Sequence, residues 1–247
     1  MKKIYFLFSL GLAAGLQAQT NLDFETGDFT GWTGFQGNFT TSNQLPLTNV
    51  TTGITVLPLN SSGAHVIVDA NYPANGCGAF FPVGEQNYSA KLNNLQTTHN
   101  ATGIRQAFTV TPANALHIYG SAIVLTDGVH PNGGIEEAFF RSEVLDANNT
   151  LLIQKMFHPN MVSSTFTICF QGSTFYRPWT CDTLDLSPYI GQTVTISHTA
   201  SHCLYIGHIG WAIIDAACGN PNGTTNTNQS PNKISVLQNP SPDGLFA

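Results

Sequence analysis

Residues 175–218 constrain the fold of this chain more than any other stretch. The run FYRPWTCDTLDLSPYIGQTVTISHTASHCLYIGHIGWAIIDAAC predicts three β-strands. A turn spanning Asp185 to Gln192 separates the first two, with Pro188 and Gly191 as turn formers. Val194, Ile196, His198 and Ala200 alternate with Thr193, Thr195, Ser197 and Thr199. Side chains that alternate in period two line opposite faces of a strand, so one face here is buried. Cys203 and Cys218 bracket the third strand. Nothing in the stretch places a nucleophile beside a base.

The same pattern extends upstream. Residues 64–70 (AHVIVDA) form a compact strand, 104–110 alternate, and 116–125 are apolar on both faces, as in a central strand. Residues 138–145 and 151–157 flank Asp146-Ala147-Asn148-Asn149 and predict a hairpin. Residues 79–95 hold short strands, and 34–63, rich in Asn, Thr and Gly, read as loops with short strands. Only 9% of residues are charged, too few to clothe helices in water, whereas Thr, Val, Phe and Tyr favour strands. The expected class is all-β: one antiparallel sandwich over residues 19–218, long enough to bury a single core.

The two ends differ from this middle. Lys2 and Lys3 precede an apolar body from Ile4 to Leu16, and Leu16-Gln17-Ala18 reads as a cleavage site. Residues 1–18 are therefore a secretory signal, too short for a spanning helix. Residues 219–232 (GNPNGTTNTNQSPN) contain no large apolar side chain and predict a flexible linker. Residues 233–247 regain strand character around Pro240-Ser241-Pro242-Asp243-Gly244. No later segment is apolar enough to span a bilayer. The formal charge is −6, and loss of Lys2 and Lys3 makes the remainder more acidic still, which disfavours nucleic acid and anionic lipid as partners.

Cys77, Cys169, Cys181, Cys203 and Cys218 lie in a chain read as exported, where disulfides persist. Their spacings match no paired Cys-x-x-Cys zinc pattern. Sequence leaves the connectivity open. The pairing expected first is Cys203 with Cys218, and the second Cys169 with Cys181, which makes Cys77 the odd thiol.

Several residue groups invite a sharper reading. His202-Cys203-x₄-His208 contains metal-ligand types, but a disulfide at Cys203 removes the thiolate, and a packed histidine is favoured for His208. Trp32, Trp179 and Trp211 lie beside strands; large rings bury much area, so core packing is favoured for Trp179 and Trp211. Tyr72, Phe81 and Tyr176 are the loop aromatics suited to touching a ligand. Glu136 and Glu137 are adjacent on an extended segment and point apart, while Asp182 and Asp185 sit where turns favour Asp. With no nucleophile elbow, phosphate loop or His-Glu-x-x-His present, a non-catalytic protein is expected.

Tyr176, Pro178, Trp179, Asp185, Leu186, Ser187, Tyr189, Gly191, Gln192, Cys203, Gly207, His208, Gly210, Ile214, Asp215 and Cys218 match a recurring pattern. It resembles a β-sandwich module near the amino terminus of large surface adhesins of gliding bacteria. Arg177, His202, Ile206, Ile209 and Trp211 depart from that pattern. Tyr88 to Leu92 and Phe108 to Val124 continue the likeness, which covers roughly residues 20–218. Separately, Asn21, Phe24, Glu25, Gly31 and Trp32 resemble the opening of galactose-binding-like jelly rolls among carbohydrate-binding modules. That resemblance implies a jelly-roll sandwich and a structural calcium joining first and last strands. The matching carboxylates are Glu25 and Asp215, with Asp23 a weaker third; Ca²⁺ takes several oxygen ligands. Val236, Asn239, Pro240, Ser241, Gly244 and Phe246 resemble the start of a type IX secretion sorting domain, shorter than is usual for one. Together these likenesses imply a secreted or cell-surface recognition protein, with a glycan or surface polymer and the type IX secretion machinery as partners. The alternatives are a purely structural module of a larger adhesin and, less favoured, a polysaccharide-degrading enzyme.

Overall fold

The computed structural model describes residues 18–40, 43–72, 87–94, 101–128, 130, 136–159, 166–169, 173–205, 207–216 and 218. The expected signal, linker and sorting segment, with Asn239, Pro240 and Gly244, lie outside them, apart from Ala18, as does Cys77. Twelve strands follow in chain order: β1 (Thr33–Thr40), β2 (Asn43–Thr52), β3 (His65–Val68), β4 (Ser89–Leu92), β5 (Ala101–Thr109), β6 (Leu116–Thr126), β7 (Phe139–Leu145), β8 (Leu151–Phe157), β9 (Thr167–Cys169), β10 (Thr174–Asp185), β11 (Thr193–Ser201) and β12 (Gly210–Asp215). They form two six-stranded antiparallel sheets, β2-β1-β5-β11-β7-β8 and β3-β4-β12-β6-β10-β9. The chain passes repeatedly from one sheet to the other, as in a jelly-roll sandwich. No helix among the described residues is long and apolar enough to cross a membrane.

Period-two alternation explains the layers. On β12, Ala212 and Ile214 enter the core between the sheets, whereas Trp211 and Ile213 belong to a second apolar layer. On β6, Tyr119, Ile123 and Leu125 join the first and Ala122 and Val124 the second. The second sheet is thus apolar on both faces, in accord with the reading of residues 116–125. Trp211 is buried in that layer, and Trp179 packs half-buried against it.

The disulfide departs from expectation. Cys181 is bonded to Cys218, with a Cα–Cα distance of 5.4 Å, and Cys203 is a buried free thiol. Both expected pairs are therefore corrected, since the same bond takes Cys181 away from Cys169. Cys203 precedes β12 and Cys218 follows it; six extended residues span about 20 Å, so these two cysteines stand at opposite ends of one strand. Cys181, by contrast, is in register with Gly120 of β6, and Gly120 with Asp215 of β12.

The stretch 34–63, expected as loops with short strands, contains a hairpin of eight- and ten-residue strands, β1 and β2. Its outer strand pairs only with β1 and carries two register shifts. Pairing of this kind is made by the backbone and leaves no hydrophobic alternation to detect.

Candidate functional site

The opening turn builds the floor of a cleft. The Phe24 ring stacks on Trp32 at 5.6 Å and meets Phe29 edge-on at 6.0 Å, while Trp32 Nε1 donates to Asn21 O at 2.9 Å. The residues that resemble a carbohydrate-binding module's opening therefore pin residues 21–32 against the sandwich. The chain leaves β2 at Gly53, whose φ of +123° disfavours any other residue, and runs back over β1. A side chain at Gly34 would meet Ile54 Cγ1 at 2.2 Å, so the two segments lie flush only because residue 34 is glycine.

Between them opens a cleft of about 430 Å³, lined among others by Asp28, Phe29, Trp32, Ile54, Leu57 and His65. Its rim is apolar and accessible: Val56 is 92% exposed and Leu59 45%. The Asp28 carboxylate is held below its usual range by the Thr26 hydroxyl at 2.6 Å and by the Thr30 N–H at 2.9 Å. It is thus anionic at neutral pH and fixed in place. Burial lowers the His65 pKa, so its imidazole is neutral, with Nε2 2.8 Å from Gly103 O. The cleft offers an apolar floor with one oriented anion at its edge. Such a surface can pack against one apolar face of a ligand and accept hydrogen bonds at its edge.

The expected calcium residues lie elsewhere. Glu25 accepts N–H bonds from Asn87 N at 2.8 Å, Asn87 Nδ2 at 2.9 Å and Tyr88 N at 3.0 Å. Asp215 Oδ2 accepts the Ser89 hydroxyl at 2.8 Å, and Asp23 Oδ1 takes the Glu25 N–H at 3.4 Å. Glu25 and Asp215 thereby grip the same entry into β4, residues 87–89. Their oxygens and those of Asp23 are not gathered within 4.8 Å of one another.

Glu136 and Glu137 lie in a turn before β7 rather than on a strand, and the four carboxylates of the two pairs have the following partners. Glu136 accepts the Tyr205 hydroxyl, and Glu137 the Gly128 and His130 N–H groups. Asp182 lies 2.9 Å from Arg177 and 3.3 Å from Lys155, and Asp185 accepts the Ser187 N–H at 2.9 Å. Among the loop aromatics, Tyr72 is half-buried and meets Trp211 edge-on, Tyr176 is buried in the second layer, and Phe81 lies outside the described residues. The Lys91 ammonium sits 5.9 Å from the Tyr72 ring and 5.7 Å from that of Trp211, and burial lowers its pKa to about 8. Sequence reasoning missed Asp28, Phe29 and His65. The turn residues Thr26, Gly27 and Asp28 mark the place in the sequence, but the opposite wall comes from residues 53–67 through pairing that has no local signature.

No family model matches the chain, and no curated protein does. Among solved structures, the chain is similar to the carbohydrate-binding module TmCBM61 in complex with β-1,4-galactotriose. The identity is 13%, covering 82% of this chain and 96% of that one, at a TM-score of 0.36. A structure described under the promiscuous specificity of carbohydrate-binding modules of the β-sandwich superfamily is 10% identical over 81% of this chain and 61% of its own, with a TM-score of 0.35. The enzymatically active domain of bacteriophage CBA120 tailspike protein 4 is 9% identical over 81% of this chain and 21% of its own, with a TM-score of 0.37.

Proposed function

We propose that this protein is an exported, non-catalytic recognition protein that binds a cell-surface glycan or polysaccharide through the cleft beside β1. The observation that carries this reading is the pairing of an open apolar floor with the fixed Asp28 carboxylate. A pyranose presents C–H groups on one face and hydroxyls around its edge, and aromatic and aliphatic surface takes the first while a carboxylate accepts from the second. The residues 1–18 signal and the Asn239-Pro240 segment support export through the type IX machinery as part of the same reading, with attachment at the cell surface as the outcome. The test is a polysaccharide pull-down and glycan array with the full chain and with Asp28→Asn. Removing the anion costs a charge-assisted hydrogen bond, about 1.5–3 kcal/mol, so binding should weaken roughly tenfold or more. Absence of any glycan ligand would leave a structural module, and turnover of a bound polysaccharide would make the protein an enzyme.

A further inference from the structure

We propose that Cys203, His130 and His208 bind a late first-row transition-metal ion of the zinc type, leaving one coordination position open to solvent. None of these residues lines the cleft, and the inference is independent of glycan binding. Three chain segments meet here: His130 follows β6, Cys203 follows β11, and His208 precedes β12. One ligand atom from each, a sulfur and two imidazole nitrogens, lies within 4.8 Å of the other two. His208 Nδ1 and His130 Nε2 are 3.2 Å apart. Tetrahedral zinc with Zn–N bonds of about 2.0–2.1 Å separates two ligand nitrogens by about 3.3 Å, and sulfur from nitrogen by about 3.6 Å. The imidazoles already stand at ligand spacing, and the thiol sulfur lies within 4.8 Å of both.

The surroundings are built to hold this arrangement. A methyl group at Gly128 would fall 2.3 Å from His208 Nδ1 and 2.4 Å from His130 Nε2, so only glycine lets the two rings meet. The buried Glu137 carboxylate receives the Gly128 N–H at 3.0 Å and the His130 N–H at 3.4 Å, fixing the segment that carries His130. The His208 backbone N–H points at Cys203 Sγ at 3.3 Å and ties the two ligand-bearing segments together. Glu136 accepts the Tyr205 hydroxyl, and that ring lies 5.1 Å from His130. Supporting contacts of this kind orient metal ligands. Cys203 is free where a disulfide was expected, which restores the soft ligand that the sequence reading had set aside. His202, its neighbour, is turned away, with Nδ1 3.4 Å from Gly210 N. One thiolate and two imidazoles suit zinc and its late neighbours and discriminate against Ca²⁺ and Mg²⁺, which take oxygen. Both imidazoles are half-exposed, so the fourth position faces water.

The test uses the full chain, reduced and stripped of metal, titrated with Zn²⁺ against a chromophoric chelator and, separately, with Co²⁺. The expected result is one equivalent of Zn²⁺ per chain, unaffected by Ca²⁺ or Mg²⁺, and a thiolate-to-cobalt charge-transfer band. Cys203→Ser should abolish that band. His130→Ala, His208→Ala and Gly128→Ala should each lower affinity by at least about tenfold, with glycan binding unchanged. Because Cys203 is buried and its variant can misfold, the half-exposed His130→Ala variant, shown folded by circular dichroism, is decisive. Equal Zn²⁺ affinity in folded His130→Ala, or no charge-transfer band in the unaltered chain, overturns the proposal and leaves a hydrogen-bonded histidine pair.

Discussion

Cys181 of β10 is bonded to Cys218, three residues past Asp215, so this bridge fastens the exit of β12 to a strand two places away in the same sheet. The closed loop spans 37 residues and contains all of β11 and β12. Chain-entropy reasoning gives such a loop about 4 kcal/mol of stabilisation. The Cys181→Ser/Cys218→Ser double variant should lose stability of that order in denaturant titration. Non-reducing peptide mapping of the native chain should recover the Cys181–Cys218 linkage, and Cys203 should resist alkylation until the chain unfolds.

Acid should destabilise the fold through buried histidines. Burial pushes His117 and His202 down to about 4 and His198 well below its usual value, with the neighbouring His117 adding to the shift at His198. A base whose folded pKa is depressed binds fewer protons folded than unfolded between the two values. Its stabilising contribution is therefore complete above pH about 6.5 and lost as pH falls toward 4. Stability by denaturant titration should decline across that window. In His117→Gln the slope should be shallower, and an unchanged slope would mean that His117 takes up its proton in the folded state.

Arg177 and Lys155 share Asp182 but not its consequences. Arg177 is 4% exposed and packs under the Phe157 ring, whereas the Lys155 side chain is 38% exposed. The Arg177 contact is an ion pair by distance, although its angle gives Asp182 Oδ2 no hydrogen bond. Asp182→Ala strands a buried guanidinium and should cost about 3–5 kcal/mol. Lys155→Ala removes a solvent-screened partner and should cost no more than about 1 kcal/mol. Thermal melts of the two variants measure the difference.

Glu25 ties the opening turn to the entry of β4 through three N–H donors. Glu25→Ala should lower stability by about 1–3 kcal/mol, because the Asn87 and Tyr88 N–H groups lose their acceptor. Melting temperatures in EDTA and in millimolar Ca²⁺ test the calcium site that the resemblance implies. A rise with Ca²⁺ that disappears in Glu25→Ala would place Glu25 in that site.

What the sequence disclosed follows from how local each signal is. The alternation of Val194 to Ala200 and the Asp146–Asn149 turn encode β11 and the β7–β8 hairpin within a few residues, and both stand in the structure. The β1–β2 hairpin is written in Asn, Thr and Gly, whose partners are backbone groups, and left no period to detect. The disulfide depends on register across three strands, which spacing along the chain does not record. His130 stands 78 residues before His208, and only the adjacency of β6 and β12 brings them together. Phe24 and Trp32 were legible as a motif; that they support one wall of a cleft depended on where residues 53–67 return.

Over Ala122 to Leu125, β6 carries buried apolar side chains on both faces, so in that half hydrophobicity guards the strand's alignment only weakly. That duty falls on shape. Gly120 is the seat for the Trp179 indole, where even a methyl would meet ring carbon Cζ2 at 2.4 Å, so a displaced strand would present a bulkier residue to the ring and be rejected.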